Sequence, residues 1–519
     1  MRHIEETTYL DNGRVEETAR TSPLWVIPKE LCTRCGACNV ICPTNVIRFD
    51  NHDFPYIETP NCIDCGLCLK VCPGIEFDLQ EHHQQMFQTD YPTHKMGGEY
   101  HKAYVGYARR PEIRQAGASG GIVTKLLISL LKNDMIDGAV VLGQNPDDPA
   151  MPVPYIARTE DEIWLAAQSK YSTVANTRVL REARGTEERL AFVGVACQIH
   201  GLKKLQEMNR RLASRITLVI GLACRGTLER EAIEDLLWAR GIEPSDLHGV
   251  SHRGGKFPGK FQAHFKNGTT HDLHAFDFKN AAFTLMHRMY LPERCHMCSD
   301  YSAEFADLTC SDIWLRGPDG KYLHPEGETL VLCRTERGAR VIEQFSTSGE
   351  LVLNPVQPEL VEKSYAHLRR EEKVLPFLLI NERRDQGKRV PEYHIDASVP
   401  LADLPYLRTY RSTFMLKQYP VLRRLIMRII FSPVGTALVW ANMQQKILRV
   451  RYRRWKAQPQ PTAPAILVLI LVLLTIFSII RLIARVISQS GATIVVGVFY
   501  LTNLFMEGME YLSALEAVV

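Results

Sequence analysis

The sequence predicts an α/β (α+β) protein in three parts: a small cysteine-rich module, an α/β core with a mixed sheet, and a helical C-terminal tail. Three observations predict this organisation. Residues 31–77 contain a duplicated cysteine motif, residues 101–395 alternate between strand and helix patterns, and residues 396–519 are first basic and then apolar. With 519 residues, 45% of them hydrophobic and 23% charged, the chain has the composition of an ordinary folded protein of two or three domains.

The cysteine-rich module contains two copies of the spacing C-x2-C-x2-C-x3-C-P, which use eight of the fourteen cysteines. Bacterial two-cluster ferredoxins have this spacing, and in them the fourth cysteine of each copy serves the other cluster. The sequence therefore predicts two 4Fe-4S clusters. Their ligands would be Cys32, Cys35, Cys38 and Cys72 for one cluster, and Cys62, Cys65, Cys68 and Cys42 for the other. Neither a zinc site nor a disulfide framework explains this duplication.

The net charge of the chain and the two segments beside the cysteine-rich module restrict the possible functions and location of the protein. A net charge of +4 is too balanced to indicate nucleic-acid binding. Residues 1–30 are expected to be a leader with acids and no apolar run, so no export signal is predicted and the thiolates indicate a reducing, cytosolic setting. Residues 78–100 are expected to be a linker, in which His82 and His83 are solvated.

The part from residue 101 to residue 395 is expected to form the α/β core. Predicted strands are residues 103–107, 139–142, 190–195, 216–221, 260–264 and 330–334, and predicted helices are residues 121–132, 160–167, 198–208 and 229–239. This alternation favours α/β layers around a mixed sheet. In the module, residues 46–50 and 55–59 are expected to pair as a short hairpin.

A turn of small residues, Ser119-Gly120-Gly121, precedes the first predicted helix of the core. Ser119 is expected to cap this helix. Two glycines allow a ligand to approach the backbone, and the helix dipole favours a phosphate there. A tight turn without a ligand is the alternative interpretation.

Four further cysteines indicate a second kind of site. Cys197 and Cys224 each follow a predicted buried strand, at the sheet edge where ligands collect in α/β proteins. Cys295 and Cys298 form a C-x2-C pair, and Cys310 follows twelve residues later. A single cysteine is more often a small core residue, but several at loop positions in a chain with clusters favour a third 4Fe-4S cluster.

These motifs resemble, in order and separation, those of the coenzyme F-420 hydrogenase/dehydrogenase beta-subunit family. The resemblance rests on residues 107–114, 118–124, 193–198, 221–224, 295–300 and 305–308, and it covers roughly residues 100–395. It implies a flavoprotein that holds FAD and a 4Fe-4S cluster. By position, it implies FAD contacts from Ser119, Gly120, Gly121, Lys170 and Tyr171, and ligation of the third cluster by Cys197, Cys224, Cys295 and Cys298.

The chain departs from the family pattern at several positions. Ala196 stands where the family usually has a proline, and Cys310 where it has a small or apolar residue, so Cys310 is either a competing ligand or a buried thiol. Without the resemblance, Lys170 and Tyr171 would be interpreted as part of a surface loop. No catalytic acid or base is identified.

The resemblance implies an oxidoreductase that converts between one-electron and two-electron carriers. Electrons would enter at the twin clusters, pass through the third cluster to FAD and leave as hydride to coenzyme F-420 or a similar acceptor, or flow in reverse. The alternatives are a ferredoxin-dependent reductase of a tetrapyrrole or another unsaturated substrate, and a non-catalytic electron-relay subunit. Expected partners are a hydrogenase, dehydrogenase or ferredoxin. The basic segment 253–260 is expected to be a plain turn or to receive an acidic coenzyme tail.

The tail predicts membrane association. Residues 463–480 are eighteen residues without a charge, just long enough to cross a bilayer, and residues 491–506 form a second apolar run. Residues 405–456 are dense in Arg and Lys, and Arg423, Arg424 and Arg428 are expected on a helix that lies on an anionic membrane surface or is solvated. The predicted location is the cytoplasmic side of the cell membrane. A buried helix in a subunit interface is the alternative.

Overall fold

The computed structural model describes residues 27–444, apart from 59–60, 146, 150, 278–282, 318–320, 366–372, 374, 396, 398–418, 438 and 442. Residues 1–26 of the expected leader and both apolar runs of the tail lie outside the described residues. The predicted fold class is confirmed for the module and the core, which combine a small cysteine-rich unit with a mixed α/β sheet.

The strands form three sheets. In chain order they are β1 (Ile47–Phe49), β2 (Pro55–Ile57), β3 (Lys102–Ala108), β4 (Gly138–Gly143), β5 (Val153–Ala157), β6 (Leu190–Val195), β7 (Ile216–Leu222), β8 (Leu247–Gly254), β9 (Lys260–Phe265), β10 (Thr270–Asp272), β11 (Leu308–Asp312), β12 (Thr329–Cys333) and β13 (Leu351–Pro355). β1 and β2 form the hairpin of the module, and β8, β9 and β10 form a small antiparallel sheet.

The main sheet has eight strands in the order β13-β3-β12-β11-β7-β6-β4-β5. Its central strands β4, β6, β7 and β11 are parallel, and antiparallel strands flank them on both sides. Parallel strands are covered on both faces, which explains why β4 and β7 are nearly continuous runs of buried apolar residues. The carboxyl ends of β6 and β7 therefore lie side by side.

The helices connect these strands. They are α1 (Ala37–Ile41), α2 (Leu67–Lys70), α3 (Leu79–Phe87), α4 (Pro111–Ala116), α5 (Ile122–Lys132), α6 (Glu160–Leu165), α7 (Ala196–Met208), α8 (Arg210–Arg215), α9 (Glu231–Arg240), α10 (Phe283–Tyr290), α11 (Glu336–Thr347), α12 (Pro358–Tyr365), α13 (Leu375–Asp385) and α14 (Pro420–Ile430). Local sequence fixes several starts. Thr159 and Glu162 form a capping box on α6, and the Asp78 carboxylate accepts the Glu81 N–H at the start of α3.

The two faces of the main sheet carry different partners. On one face, apolar residues of α5 and α11 pack on the sheet, including Leu126, Leu127 and Ile342. On the other face, Ile199 and Leu202 of α7 are part of a buried cluster that also contains residues of the cysteine-rich module. The module is thus packed into the core on the α7 side of the sheet.

The expectation that His82 and His83 are solvated was wrong. Both lie on α3, within the stretch expected to be a linker. His83 is fully buried, and its Nδ1 lies 2.8 Å from the Thr89 carbonyl oxygen. His82 stacks on Phe77, with ring centroids 4.1 Å apart, and its Nε2 lies 2.7 Å from a carboxylate oxygen of Glu207 on α7. Tertiary packing against α7 therefore buries a segment whose composition is polar.

The basic helix expected on a membrane surface, α14, packs against α9. Arg423 and Arg424 each donate an Nε–H to the Asp235 carboxylate, at 2.9 and 2.8 Å, and Arg423 is buried. Met427 and Ile430 belong to the buried cluster around α9. Within the described residues, no single helix has the length and apolarity to span a bilayer. Among the described residues, the helices Pro420–Ile430 and Pro433–Ala441 reach this length and apolarity only when taken together, and the chain bends by 66° between them.

Candidate functional site

The module brings together the cysteines that the motif predicts for its first cluster. Cys32, Cys35, Cys38 and Cys72, hereafter the first thiol set, line one cavity. Gly36 takes a left-handed conformation (φ 92°) at the start of α1, which turns the chain between Cys35 and Cys38 around this cavity.

The second predicted group is also assembled. Cys42, Cys62, Cys65 and Cys68, hereafter the second thiol set, line a separate cavity. The fourth cysteine of each sequence copy thus lines the cavity of the other copy, as the ferredoxin spacing predicts. Cys65 is exposed and the neighbouring Ile63 is 63% exposed, so this cavity opens toward the surface.

A third group forms at the carboxyl edge of the parallel strands. Cys197 follows β6 on the first turn of α7, and Cys224 follows β7. Cys295 and Cys298 come from the 3-10 turn Glu293–Met297 and its end. All four thiols, hereafter the third thiol set, are close enough to interact electrostatically with one another. The sequence prediction that these four residues meet agrees with their placement.

The electrostatics of the first and third thiol sets favour a cationic occupant. Burial first, and repulsion between neighbouring thiolates second, raise the pKa of Cys32 to about 12 and that of Cys35 to about 11. The pKa of Cys298 is raised to about 12, mainly by burial. Ligand thiols must be deprotonated, so bound iron would compensate this cost. In the part of the chain that the structure describes, no three His, Cys, Asp or Glu side chains are arranged to hold a single metal ion.

The three thiol sets follow one another from the surface inward. Cys68 of the second set interacts electrostatically with Cys38 of the first set, and Cys35 of the first set with Cys197 of the third. A side chain at Gly201 of α7 would come within 2.8 Å of the Cys35 sulfur, so the absence of one allows this close approach.

A large side chain at Gly201 is expected to weaken the packing of the module on the core. An alanine in a helix interior normally adds about 1 kcal/mol of stability relative to glycine, but overpacking against Cys35 costs about 1–3 kcal/mol. Gly201→Ala is therefore expected to change the free energy of unfolding little, whereas Gly201→Leu destabilises the protein clearly and lowers its iron content. Anaerobic denaturant unfolding and iron analysis measure both effects. Equal stability of the two variants contradicts the close approach.

Sequence reasoning missed the ionic contacts between the module and the core, of which two involve buried groups. The Asp53 carboxylate accepts a hydrogen bond from the Ala175 N–H at 3.0 Å and pairs with Arg178. Arg34, which lies between the first two cysteines of the motif, pairs with Glu229 at 2.6 Å. The basic residue inside the motif was the only sequence signal of the second contact. Its partner, Glu229, could not be identified because it is 195 residues away.

The Ser119-Gly120-Gly121 turn is placed differently from its predicted role as a helix cap. Gly121 (φ 69°) is the residue before α5, while the Ser119 hydroxyl lies 3.0 Å from the Thr329 hydroxyl of β12. Side chains at Gly120 and Gly121 would collide with the carbonyl oxygens of Gly106 and Ile113, so these glycines serve packing. The cap prediction was wrong because the left-handed glycine lies between Ser119 and the helix.

Lys170 and Tyr171 are both partly buried. The Lys170 ammonium donates to the carbonyl oxygens of Ala166 and Ala167 at the end of α6, at 2.7 and 2.6 Å, and burial lowers its pKa to about 7. The Tyr171 ring meets His252 edge-on, with centroids 5.5 Å apart. His252 is 3% exposed, and neither of its ring nitrogens has a hydrogen-bond partner. This group can therefore accept polar contacts from a ligand.

The segments around Ser119 and Tyr171, which the resemblance implies contact FAD, both lie near the turn between β8 and β9. A side chain at Gly327 would lie 3.0 Å from both Phe257 of this turn and the Ser119 carbonyl oxygen. The Arg253 guanidinium lies over the Phe257 ring, 5.6 Å from its centroid, and also interacts with Tyr171. The residues present thus form one region in which a flavin could contact both segments.

Two of the three basic residues of segment 253–260, Arg253 and Lys260, form ion pairs. Arg253 is buried and donates to Asp312 at 2.6 Å, and Lys260 donates to Asp272 at 2.7 Å. Lys256 is exposed. The segment is a turn between two strands, which agrees with the plainer of the two predictions.

Cys310 does not join the third thiol set. It lies within β11, 5% exposed, in the apolar cluster on the opposite face of the sheet. Burial first and the neighbouring Cys333 second raise the pKa of its thiol to about 12. Of the two predicted roles, the structure supports a buried thiol.

Comparison with known proteins identifies the same domains as the motifs. The model of the 4Fe-4S dicluster domain matches residues 31–85. The models of the coenzyme F-420 hydrogenase/dehydrogenase beta subunit match residues 103–181 with the N-terminal part and residues 187–359 with the C-terminal part. The resemblance predicted from the sequence is confirmed.

Three relatives illustrate the range of similar proteins. The coenzyme F-420-dependent sulfite reductase of Methanocaldococcus jannaschii is 26% identical over 61% of this chain and 46% of its own length. The coenzyme F-420 hydrogenase subunit beta of Methanococcus voltae is 28% identical over 57% of this chain and 99% of its own length. The chloroplastic 7-hydroxymethyl chlorophyll a reductase of Oryza sativa subsp. japonica is 30% identical over 46% of this chain and 48% of its own length. The chain therefore spans about half the length of two of these relatives.

Proposed function

Because the chain belongs to the coenzyme F-420 hydrogenase/dehydrogenase beta-subunit family and carries a 4Fe-4S dicluster domain, we propose that it is an iron–sulfur flavoprotein oxidoreductase. It exchanges electrons between 4Fe-4S clusters and FAD, with hydride exchange to coenzyme F-420 or a similar two-electron acceptor. The observation that supports this most strongly is the grouping of twelve cysteines into three sets of four. Several relatives are F-420-dependent oxidoreductases, in line with an electron-transfer role.

Each proposed cofactor has residues to hold it. The first and second thiol sets would each hold a 4Fe-4S cluster, and the third set a third cluster. Ser119, Gly120, Gly121, Lys170 and Tyr171 would contact FAD. Iron–sulfur clusters exchange single electrons and a flavin exchanges one or two, so together they supply the conversion between one-electron carriers and hydride.

The chain's own residues contribute access and positioning. The exposed Ile63 and Cys65 place the second thiol set where a redox partner protein can approach. The first set lies between the module and α7, and the third set lies at the sheet edge. His252, with two unpaired ring nitrogens beside Tyr171, can orient a polar ring system in the flavin region. The partner would be a hydrogenase, a dehydrogenase or a ferredoxin, since the matched relative in Methanococcus voltae is a hydrogenase subunit.

Anaerobic purification of the full chain tests the proposal. We expect about twelve iron and about twelve sulfide ions per chain, as three 4Fe-4S clusters require, together with one FAD. Coenzyme F-420 mixed with the reduced protein should lose its oxidised absorbance. Zinc or metal-free thiols would refute the cluster assignment, and clusters with FAD but without reduction of coenzyme F-420 would exclude it as the acceptor.

A reductase acting on a tetrapyrrole-like or other unsaturated substrate is the second candidate. Its support is the 30% identity to the 7-hydroxymethyl chlorophyll a reductase of Oryza sativa subsp. japonica. In that case, the reduced protein should transfer electrons to a tetrapyrrole and not to coenzyme F-420. A non-catalytic electron-relay subunit, the third candidate, should reduce neither, and its flavin should be oxidised only by a partner protein.

We also propose that residues 396–519 attach the protein to the cytoplasmic side of the cell membrane. The uncharged run 463–480 and the basic residues before it support this location. Fractionation of cells that express the full chain, compared with a chain ending at residue 458, tests it. Recovery of both chains in the soluble fraction would contradict a membrane location.

A further inference from the structure

Arg34 is unusual in both its backbone conformation and its burial. It lies between Cys32 and Cys35 in the sequence and adopts a left-handed backbone conformation (φ 52°), which is rare for a residue with a side chain. Its side chain is 2% exposed and its Nη1 lies 2.6 Å from an oxygen of Glu229, whose side chain is 12% exposed. The same nitrogen donates to the His52 carbonyl oxygen at 3.2 Å.

The Arg34 guanidinium lies near two thiol sets at once. It interacts electrostatically with Cys32 of the first set and with Cys295 of the third. Arg34 also lines the cavity of the first thiol set, and its backbone N–H lies 3.4 Å from the Cys32 sulfur. Arg34 and Glu229 therefore form a buried ion pair at the junction between the first and third thiol sets.

A buried ion pair does not by itself indicate a contribution to stability. Desolvation of the two charges offsets much of their attraction, and apolar side chains of similar volume often pack equally well. The module is also held by Asp53, which binds Ala175 and Arg178. A buried charge beside both thiol sets is therefore expected to act on the clusters that we propose these thiols bind.

We propose that the ion pair of Arg34 and Glu229 sets the relative reduction potentials of the clusters in the first and third thiol sets. This inference rests on the proposed function, since it requires clusters at these cysteines. Reduction adds one electron and one negative charge to a cluster, with no bond made or broken and no proton needed. A nearby buried cation stabilises that added charge, and a nearby carboxylate destabilises it. Arg34 acts on both clusters, whereas Glu229 acts mainly on the third.

Redox titration of the full, anaerobically purified chain, followed by electron paramagnetic resonance, tests the proposal. Arg34→Gln is expected to lower both midpoint potentials, because a cation is removed. Glu229→Gln is expected to raise the midpoint potential of the third set more than that of the first. Arg34→Lys keeps the charge and should retain values near those of the wild type. The signal of the third set is identified by its loss in Cys298→Ala.

Arg178→Gln is the matched control. Arg178 also pairs a carboxylate of the module across the same interface, but its side chain is 29% exposed. Water screens such a charge, so its removal should shift the midpoint potentials much less than removal of Arg34. A shift in Arg178→Gln as large as that in Arg34→Gln would overturn the proposal.

The outcomes separate this inference from the proposed function. Wild-type protein without iron and sulfide refutes the proposed function and the inference with it. Wild-type protein with clusters, but with unchanged midpoint potentials in Arg34→Gln and Glu229→Gln, refutes only the inference. If Arg34→Gln does not retain its clusters, Glu229→Gln decides the question. Loss of clusters in both variants would indicate a structural role instead.

Discussion

Replacing Cys298 with alanine is expected to remove about four of about twelve iron atoms from the anaerobically purified protein. Cys298 belongs to the third thiol set, which is assembled from α7, the end of β7 and the turn Glu293–Met297. The other eight cysteines line separate cavities in the module, so their clusters should remain. Iron and sulfide analysis with absorption spectroscopy measures this loss. Transfer of electrons to the proposed flavin should fall with it, because the third set lies in the core, beyond the first set as seen from the module.

Cys310→Ala is the matched control for this experiment. Cys310 follows Cys298 closely in sequence, and a sequence argument could not decide whether it is a ligand. In the structure it is a buried thiol of β11 that packs among apolar residues. Cys310→Ala should therefore retain about twelve iron atoms. The assignment of the third set fails if Cys310→Ala loses iron while Cys298→Ala does not.

Replacing Lys373 with methionine is expected to lower the free energy of unfolding by about 3–5 kcal/mol. The Lys373 ammonium donates to Glu304 at 2.6 Å, and the two side chains are 1% and 0% exposed. Tyr91 adds a weaker hydrogen bond to the same oxygen at 3.3 Å. Without Lys373, the buried Glu304 carboxylate loses its ion-pair partner. Anaerobic denaturant unfolding measures the loss.

Three comparisons test this explanation. Lys102→Met breaks an exposed pair with Glu343, so it should cost less than about 1 kcal/mol. Adding Glu304→Gln to Lys373→Met should recover most of the lost stability, since the buried charge is gone. Burial also holds the pKa of Glu304 above its usual value. A raised pKa favours the folded state at low pH and this contribution is lost as pH rises, so the cost of Lys373→Met should shrink on acidification. A pH-independent cost that Glu304→Gln does not relieve would contradict the role of the carboxylate.

Local sequence patterns were sufficient to group the cysteines and to predict five of the eight strands of the main sheet, whereas β5, β11 and β13 were not predicted. The cysteine spacing specifies how the first and second sets interleave, because neighbouring residues and turns position them. Apolar runs predicted β4, β6 and β7, whose carboxyl edge then brings Cys197 and Cys224 together. β13 was missed, because its polar end pairs with β3 at the border of the sheet, where burial is partial.

Contacts between distant residues could not be predicted in this way. The partners Lys373 and Glu304 are 69 residues apart, and Arg34 and Glu229 are 195 residues apart. Either member alone is an ordinary charged residue, and only the fold shows that water is excluded from the pair. The burial of His83 has the same cause, since its own helix is polar and the neighbouring elements cover it.

The contact between Gly201 and Cys35 has a mechanical consequence. A small redox unit attached by a tether can act as a shuttle that loads at one place and unloads at another. Here the module packs so closely on α7 that a Cβ atom at Gly201 would lie 2.8 Å from the Cys35 sulfur. Packing this close holds the module at one position on the core, in contrast to a tethered shuttle.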